Sequence, residues 1–232
     1  MPTTEEEIAN NLYNFLIQWF TLFPQYQSNP FFPFGESYAG KFVPEISKKI
    51  HDENENGAAL QINLAGLGIG DGFMSPPDSS VYANYMFELA LVGEVERDHM
   101  IEIENKMKDY AAKGKYYDAW GVSIFREIFR VENNYCFKYV LFQEWNDEFS
   151  YMLGKMGCDY YYGVDICKTP AEEDNYEIFL RLPSTREAIH TGNLPFGSQS
   201  GDVYYSMLDV FMASERATVE FLLERYPVRK PL

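Results

Sequence analysis

A serine, an acid and several small residues stand together at Gly35-Glu36-Ser37-Tyr38-Ala39-Gly40. A serine hydroxyl attacks a carbonyl only when a base takes its proton and donors receive the oxyanion charge that develops. Presenting such a hydroxyl calls for a tight turn from strand to helix, and small residues must flank it because the helix packs close to the strand. The spacing here is G-x-S-x-A, with Gly40 one residue further on. By itself this short pattern also occurs in ordinary surface turns. Its flanks suit the chemistry: residues 31–34 form a short apolar run fit for a buried strand, and residues 41–50 continue as helix with a bend or restart at Pro44. Pro33 removes a ladder donor from that strand, which predicts a missing bond or a distortion just before the turn.

The elements around the turn follow from spacing and caps. Thr4 with Glu7 reads as a capping box, and Glu5 and Glu6 suit the positive end of a helix dipole. Ile8, Leu12, Phe15, Leu16 and Trp19 recur at helical spacing up to Phe23-Pro24. Residues 59–69 predict a second buried strand, crowded at its end by Gly66, Gly68, Gly70 and Gly72. Those glycines lack the spacing and the following acid of a dinucleotide fingerprint. Helices are expected over 80–91, 94–112, 115–130 and 142–153, then a short one over 184–190 and two more over 202–212 and 217–225. A helical insertion after two strands suggests a lid over the end of a sheet. Residues 226–232, with two prolines and two bases, are unsuited to a buried strand.

Composition narrows the function classes. With 232 residues, 46% of them apolar, the chain can bury a sizeable core. A formal charge of −16 repels phosphate backbones and argues against nucleic acid as a partner. No apolar run is long enough to cross a bilayer, and residues 1–7 are polar and acidic, unlike a secretory leader. Histidine occurs only at 51, 99 and 190, and no C-x-x-C is present, so no metal site or cofactor is expected. Cys136, in an apolar run, reads as a buried thiol.

The longer string GESYAGKFVP, residues 35–44, resembles the active-site segment of the serine carboxypeptidase family. Residues 11–23 (NLYNFLIQWFTLF), 62–73 (INLAGLGIGDGF), 157–167 (GCDYYYGVDIC) and 188–193 (AIHTGN) resemble its vitellogenic carboxypeptidase-like branch. The resemblance runs from about residue 4 to about residue 226 and covers the middle of that family's sequence. It implies an incomplete α/β-hydrolase fold: parallel central strands with flanking helices, plus a helical cap insertion. Residues 1–75 and 202–232 would form the partial core, and residues 76–201 the cap.

The resemblance also assigns roles. Ser37 would be the nucleophile of a serine-type carboxypeptidase acting on peptide substrates. The backbone N–H of Tyr38 would be an oxyanion donor, and Glu36, protonated, would bind the substrate's C-terminal carboxylate. Gly35, Ala39 and Gly40 would complete the elbow. Cys158 and Cys167 would form a disulfide; in a cytosolic chain the same two residues stay as thiols. The family works in lysosomal or secretory compartments, whereas the start of this chain, translated as it stands, points to the cytosol. In this fold the triad runs Ser, acid, His. His51 comes too early, His99 falls in a charged helix, and His190, with Asp159, Asp165 or Asp174 upstream, matches a position that is not the catalytic one. The segments that carry the family's acid, its histidine and a second oxyanion donor have no counterpart. The expectation is a chain that is inactive alone. The alternatives are a non-catalytic form that binds peptides or partners, and an acyltransferase using the same elbow.

Overall fold

The structure is a computed structural model, and it describes residues 1–120, 175–194, 196–197 and 200–229. Helix α1 spans Glu5–Leu22. The Thr4 hydroxyl accepts the Glu7 N–H at 3.2 Å, as a cap should. The reciprocal half of the box is displaced by one residue, because the Glu7 carboxylate accepts from the N–H of Thr3 at 2.7 Å. The helix ends where expected: Pro24 cannot continue it and instead opens a single 3-10 turn, Pro24–Tyr26. Helix α2, Ala39–Glu55, lies against α1. Tyr13 and Phe20 of α1 pack there on Ile46 and Ile50 of α2, with Ile62 and Leu64 closing the cluster.

Three short parallel strands follow the order β1-β2-β3: β1 is Phe34–Glu36, β2 is Leu67–Gly70 and β3 is Val228–Arg229. The strand expected over 31–34 therefore starts three residues late, and the one expected over 59–69 contracts to its end. Pro33 supplies the reason. Phe31 accepts from Ala65 and Pro33 accepts from Gly68, so two steps on one side oppose three on the other. The extra residue is a bulge, and it falls where Pro33 has no N–H to offer. Upstream of it only an isolated bridge, Phe31 to Leu64, survives. Beyond it the register is regular, Phe34 with Gly68 through Glu36 with Gly70.

The terminal segment corrects the reading of 226–232. Val228 and Arg229 do pair with β2, and the Pro227 carbonyl accepts the Leu67 N–H at 3.2 Å. A proline entering a strand still offers its acceptor, which is all this position requires. Pro44 likewise neither breaks nor restarts α2, which runs unbroken past the expected end at 51.

The remaining described helices are α3 (Pro76–Ser79), α4 (Tyr82–Glu88), α5 (Glu94–Ala112), α6 (Tyr116–Trp120), α7 (Asn175–Arg181), α8 (Pro183–Ala188), α9 (Gly201–Phe211) and α10 (Arg216–Leu223). The helix expected over 80–91 is the shorter α4, closed by Ala90 at φ +56°. Helix α7 was not anticipated. The rest of the helix expected over 115–130, the one over 142–153, and Cys136, Cys158, Cys167, Asp159, Asp165 and Asp174 lie outside the described residues. No described helix is long and apolar enough to cross a membrane.

Two layers of packing position the turn at Ser37. Val43 of α2, Leu67 and Ile69 of β2 and Leu222 of α10 form one cluster beneath the sheet. Met107 and Ala111 of α5, Ala119 and Trp120 of α6, and Leu208 and Met212 of and after α9 form another. Ile50 is fully enclosed, whereas Val95 is 79% exposed. Ile50→Ala should lower stability by about 2–5 kcal/mol, and Val95→Ala by no more than about 0.5 kcal/mol. Urea unfolding of the two variants measures both.

Candidate active site

Ser37 lies between the last residue of β1 and the first turn of α2, exposed at the carboxyl end of the strand. Its φ is +56°, a left-handed conformation that a residue with a Cβ adopts only when its surroundings impose it. Three backbone bonds do so. The Ser37 N–H donates to the Gly70 carbonyl at 3.0 Å, extending the β1–β2 ladder by one rung. The Ser37 carbonyl accepts from Phe73 at 2.8 Å and from Gly40 at 2.9 Å.

The small residues of the motif each face a contact that a larger residue would break. A Cβ on Gly35 would sit 2.4 Å from the Ala39 Cβ, so strand and helix touch there. One on Gly40 would lie 2.7 Å from the Phe73 nitrogen and 2.8 Å from the backbone of Gly72. This explains part of the glycine crowding after β2: Gly72 is the surface on which the first turn of α2 rests.

Glu36, like Ser37, is exposed. The Tyr38 N–H has no backbone acceptor among the described residues. The histidines stand elsewhere. The His51 Nδ1 is 2.8 Å from the Tyr226 hydroxyl, at the far end of α2. His99 is half exposed on α5, beside Glu102. His190 follows α8 at φ +57°. Among the described residues, none of them bonds Ser37, and no group of side chains is arranged to hold a metal ion.

Beneath the turn lies a charged cluster that the sequence reading missed. The Tyr38 hydroxyl donates to the Glu5 carboxylate at 2.6 Å, across 33 residues of chain. Lys41 is fully buried, and its ammonium donates to the Ala213 carbonyl at 2.5 Å and the Val210 carbonyl at 3.4 Å, capping the end of α9. Glu215 is buried beside Glu45, whose carboxylate accepts from the Thr218 hydroxyl at 2.9 Å. The Glu215 N–H reaches the Met74 carbonyl at 2.8 Å. Desolvation by burial pushes Glu5 up, and it pushes Glu215 up to about 7, helped by Glu45. Burial pulls Lys41 down against the attraction of Glu215, Glu5 and Glu45. Burial and the bond to Glu5 drive the Tyr38 hydroxyl far above the ordinary tyrosine range. Glu5 resembled a plain helix-start acid in the sequence. Lys41 carried the better signal, since it sits between Gly40 and Val43 on the buried side of α2.

A parallel strand delivering a left-handed serine into a helix, with a further parallel strand beside it, is the elbow of an α/β-hydrolase fold. The chain of Kex1(Δ)p, a prohormone-processing carboxypeptidase from Saccharomyces cerevisiae, superposes with a TM-score of 0.72 over 99% of this chain and 49% of its own, at 15% identity. The family then follows from sequence: the serine carboxypeptidase profile matches residues 1–229, and the chain belongs to that family. A probable serine carboxypeptidase of Homo sapiens, CPVL, is 33% identical over 83% of this chain and 37% of its own. The venom serine carboxypeptidase of Apis mellifera is 30% identical over 97% of this chain and 45% of its own. The chain thus spans less than half the length of these relatives.

The crowding at Gly40 gives a direct check on the elbow. Gly40→Ala should destabilise by about 1–3 kcal/mol, because the obstruction is backbone and has nowhere to move. Gly197, with open space around its Cα, should accept alanine without loss. Denaturant midpoints of the two variants distinguish the cases.

Proposed function

We propose that this chain is the nucleophile-bearing part of a serine carboxypeptidase. Ser37 attacks the last peptide carbonyl and forms an acyl-enzyme, and the Tyr38 N–H receives the oxyanion. Glu36, protonated, hydrogen-bonds the substrate's C-terminal carboxylate; once ionised it repels that carboxylate. The observation that carries this reading is the exposed Ser37 at φ +56° with an exposed Glu36 immediately before it and, immediately after, an N–H with no backbone acceptor among the described residues. Residues 1–75 and 202–232 act as the hydrolase core, residues 76–201 as the cap over the site, and Cys158–Cys167 as a disulfide suited to a lysosomal or secretory setting.

Base and acid are supplied by residues other than those described, since none of the three histidines bonds Ser37. Without them an enzyme of this kind keeps only a small residual rate. The absence of a bond from any of these histidines to Ser37 equally favours a second reading, a form that binds peptides without cutting them. An acyltransferase would share the elbow and differ in the acceptor of the acyl group.

Binding separates recognition from turnover. A short peptide with a free C-terminal carboxylate should bind the 232-residue chain more tightly than its C-terminal amide. The preference should disappear in Glu36→Ala. Equal binding of acid and amide would overturn the carboxypeptidase reading. Hydrolysis of an N-acyl-Phe-Leu by the chain, abolished by Ser37→Ala, would show instead that base and acid lie within it.

A further inference from the structure

The side chains beneath the elbow have no role in the chemistry above, yet they grip the backbone that carries it. Tyr38, whose N–H would receive the oxyanion, is tied through its hydroxyl to Glu5. Lys41, one turn further along α2, is tied to the last carbonyls of α9. The charged and titratable groups facing this space among the described residues are Glu5 from α1, Tyr38, Lys41 and Glu45 from α2, and Glu215 from the segment entering α10. Glu5, Lys41 and Glu215 are buried, and Glu45 is half-buried. The second carboxylate oxygen of Glu5 is buried without a hydrogen-bond partner.

One ammonium cannot balance the buried carboxylates of Glu5 and Glu215 with the half-buried Glu45 beside them. An ionised carboxylate with an orphan oxygen in such a site is costly, and burial favours the protonated form of Glu5 and Glu215. Protons in this space are therefore part of what keeps α1, the elbow and the α9–α10 connection together.

We propose that Glu5, Lys41 and Glu215, with Glu45 beside them, form a proton-holding brace whose residues position the Ser37 turn, so that the elbow is held firmly in acid and loosens as the protons leave. The inference builds on Ser37 as the nucleophile, but the brace itself can be tested without turnover.

Glu215 binds its proton more tightly in the folded chain, at about 7, than the ordinary 4.5 of an unfolded glutamate. Between those values the folded state carries the extra proton, so the stability it contributes is intact below that window and is lost as pH rises through it. Lys41, displaced in the opposite sense, acts on the alkaline side of its own folded value.

The local readout is hydrogen exchange at the Gly40 and Phe73 amides, both bonded to the Ser37 carbonyl. Corrected for the intrinsic pH dependence of exchange, their protection in the 232-residue chain should fall by roughly tenfold per unit between pH 5 and 7. Glu215→Gln, which keeps a neutral hydrogen-bonding group, should flatten that slope, and Glu45→Gln should do the same if the first variant folds poorly. Flat protection in the unsubstituted chain, or a slope that survives in both variants, would overturn the brace. A slope without any preference for free-carboxylate peptides would keep the brace and remove the carboxypeptidase reading; the converse pair of results would do the opposite.

Discussion

The left-handed backbone at Ser37 is the constraint on which the described structure depends. Such a conformation costs about 1–3 kcal/mol for a residue with a side chain, so it persists only where neighbours over-determine it. Here the Gly70 carbonyl holds the Ser37 N–H, and the Phe73 and Gly40 amides hold the Ser37 carbonyl, fixing the peptide units on both sides of the residue. All three partners come from positions where the chain is pressed close: the end of β2, the segment just after it, and the first turn of α2. The sheet is small, but its register at Glu36 and Gly70 is what converts a strand end into a turn that displays a hydroxyl.

The same closeness explains where charge is tolerated. The chain carries −16 overall, which spreads easily over a surface. Beneath the turn, water is excluded, and every ionised group needs a partner or a proton. Lys41 meets this demand with two backbone carbonyls at a helix end, using the helix dipole in place of a carboxylate. Glu5 meets it with a phenol, whose own ionisation the arrangement suppresses. These choices bind two elements from distant parts of the sequence, α1 and the end of α9, to the segment that carries the serine.

Much of this was readable in advance, and the misreadings have physical causes. Helix α1 is encoded locally: a capping threonine, apolar residues at helical spacing and a terminating proline settle its limits without reference to the rest of the molecule. The elbow was legible because sterics demand small residues at 35, 39 and 40. The strand limits were not, since a bulge opposite Pro33 depends on how two segments meet rather than on either alone. Strand β3 was dismissed on the composition of 226–232, although a proline at a strand's entrance surrenders a donor it does not need. The brace was least legible of all. Lys41 and the Ala213 carbonyl are 172 residues apart, and nothing near Glu5 in the sequence announces that Tyr38 will stand over it.

The parallel pairing of Leu67 with Val228 has a consequence for how the molecule is made. The two partners are separated by about 160 residues of chain, whereas β1 and β2 are neighbours in sequence as well as in space. Residues that form α1, β1, α2 and β2 are synthesised before residues 210–229 and can close upon one another. The β3 pairing and the two carbonyls that receive the Lys41 ammonium come only with that later segment, so these contacts are the last of the described ones to form during synthesis.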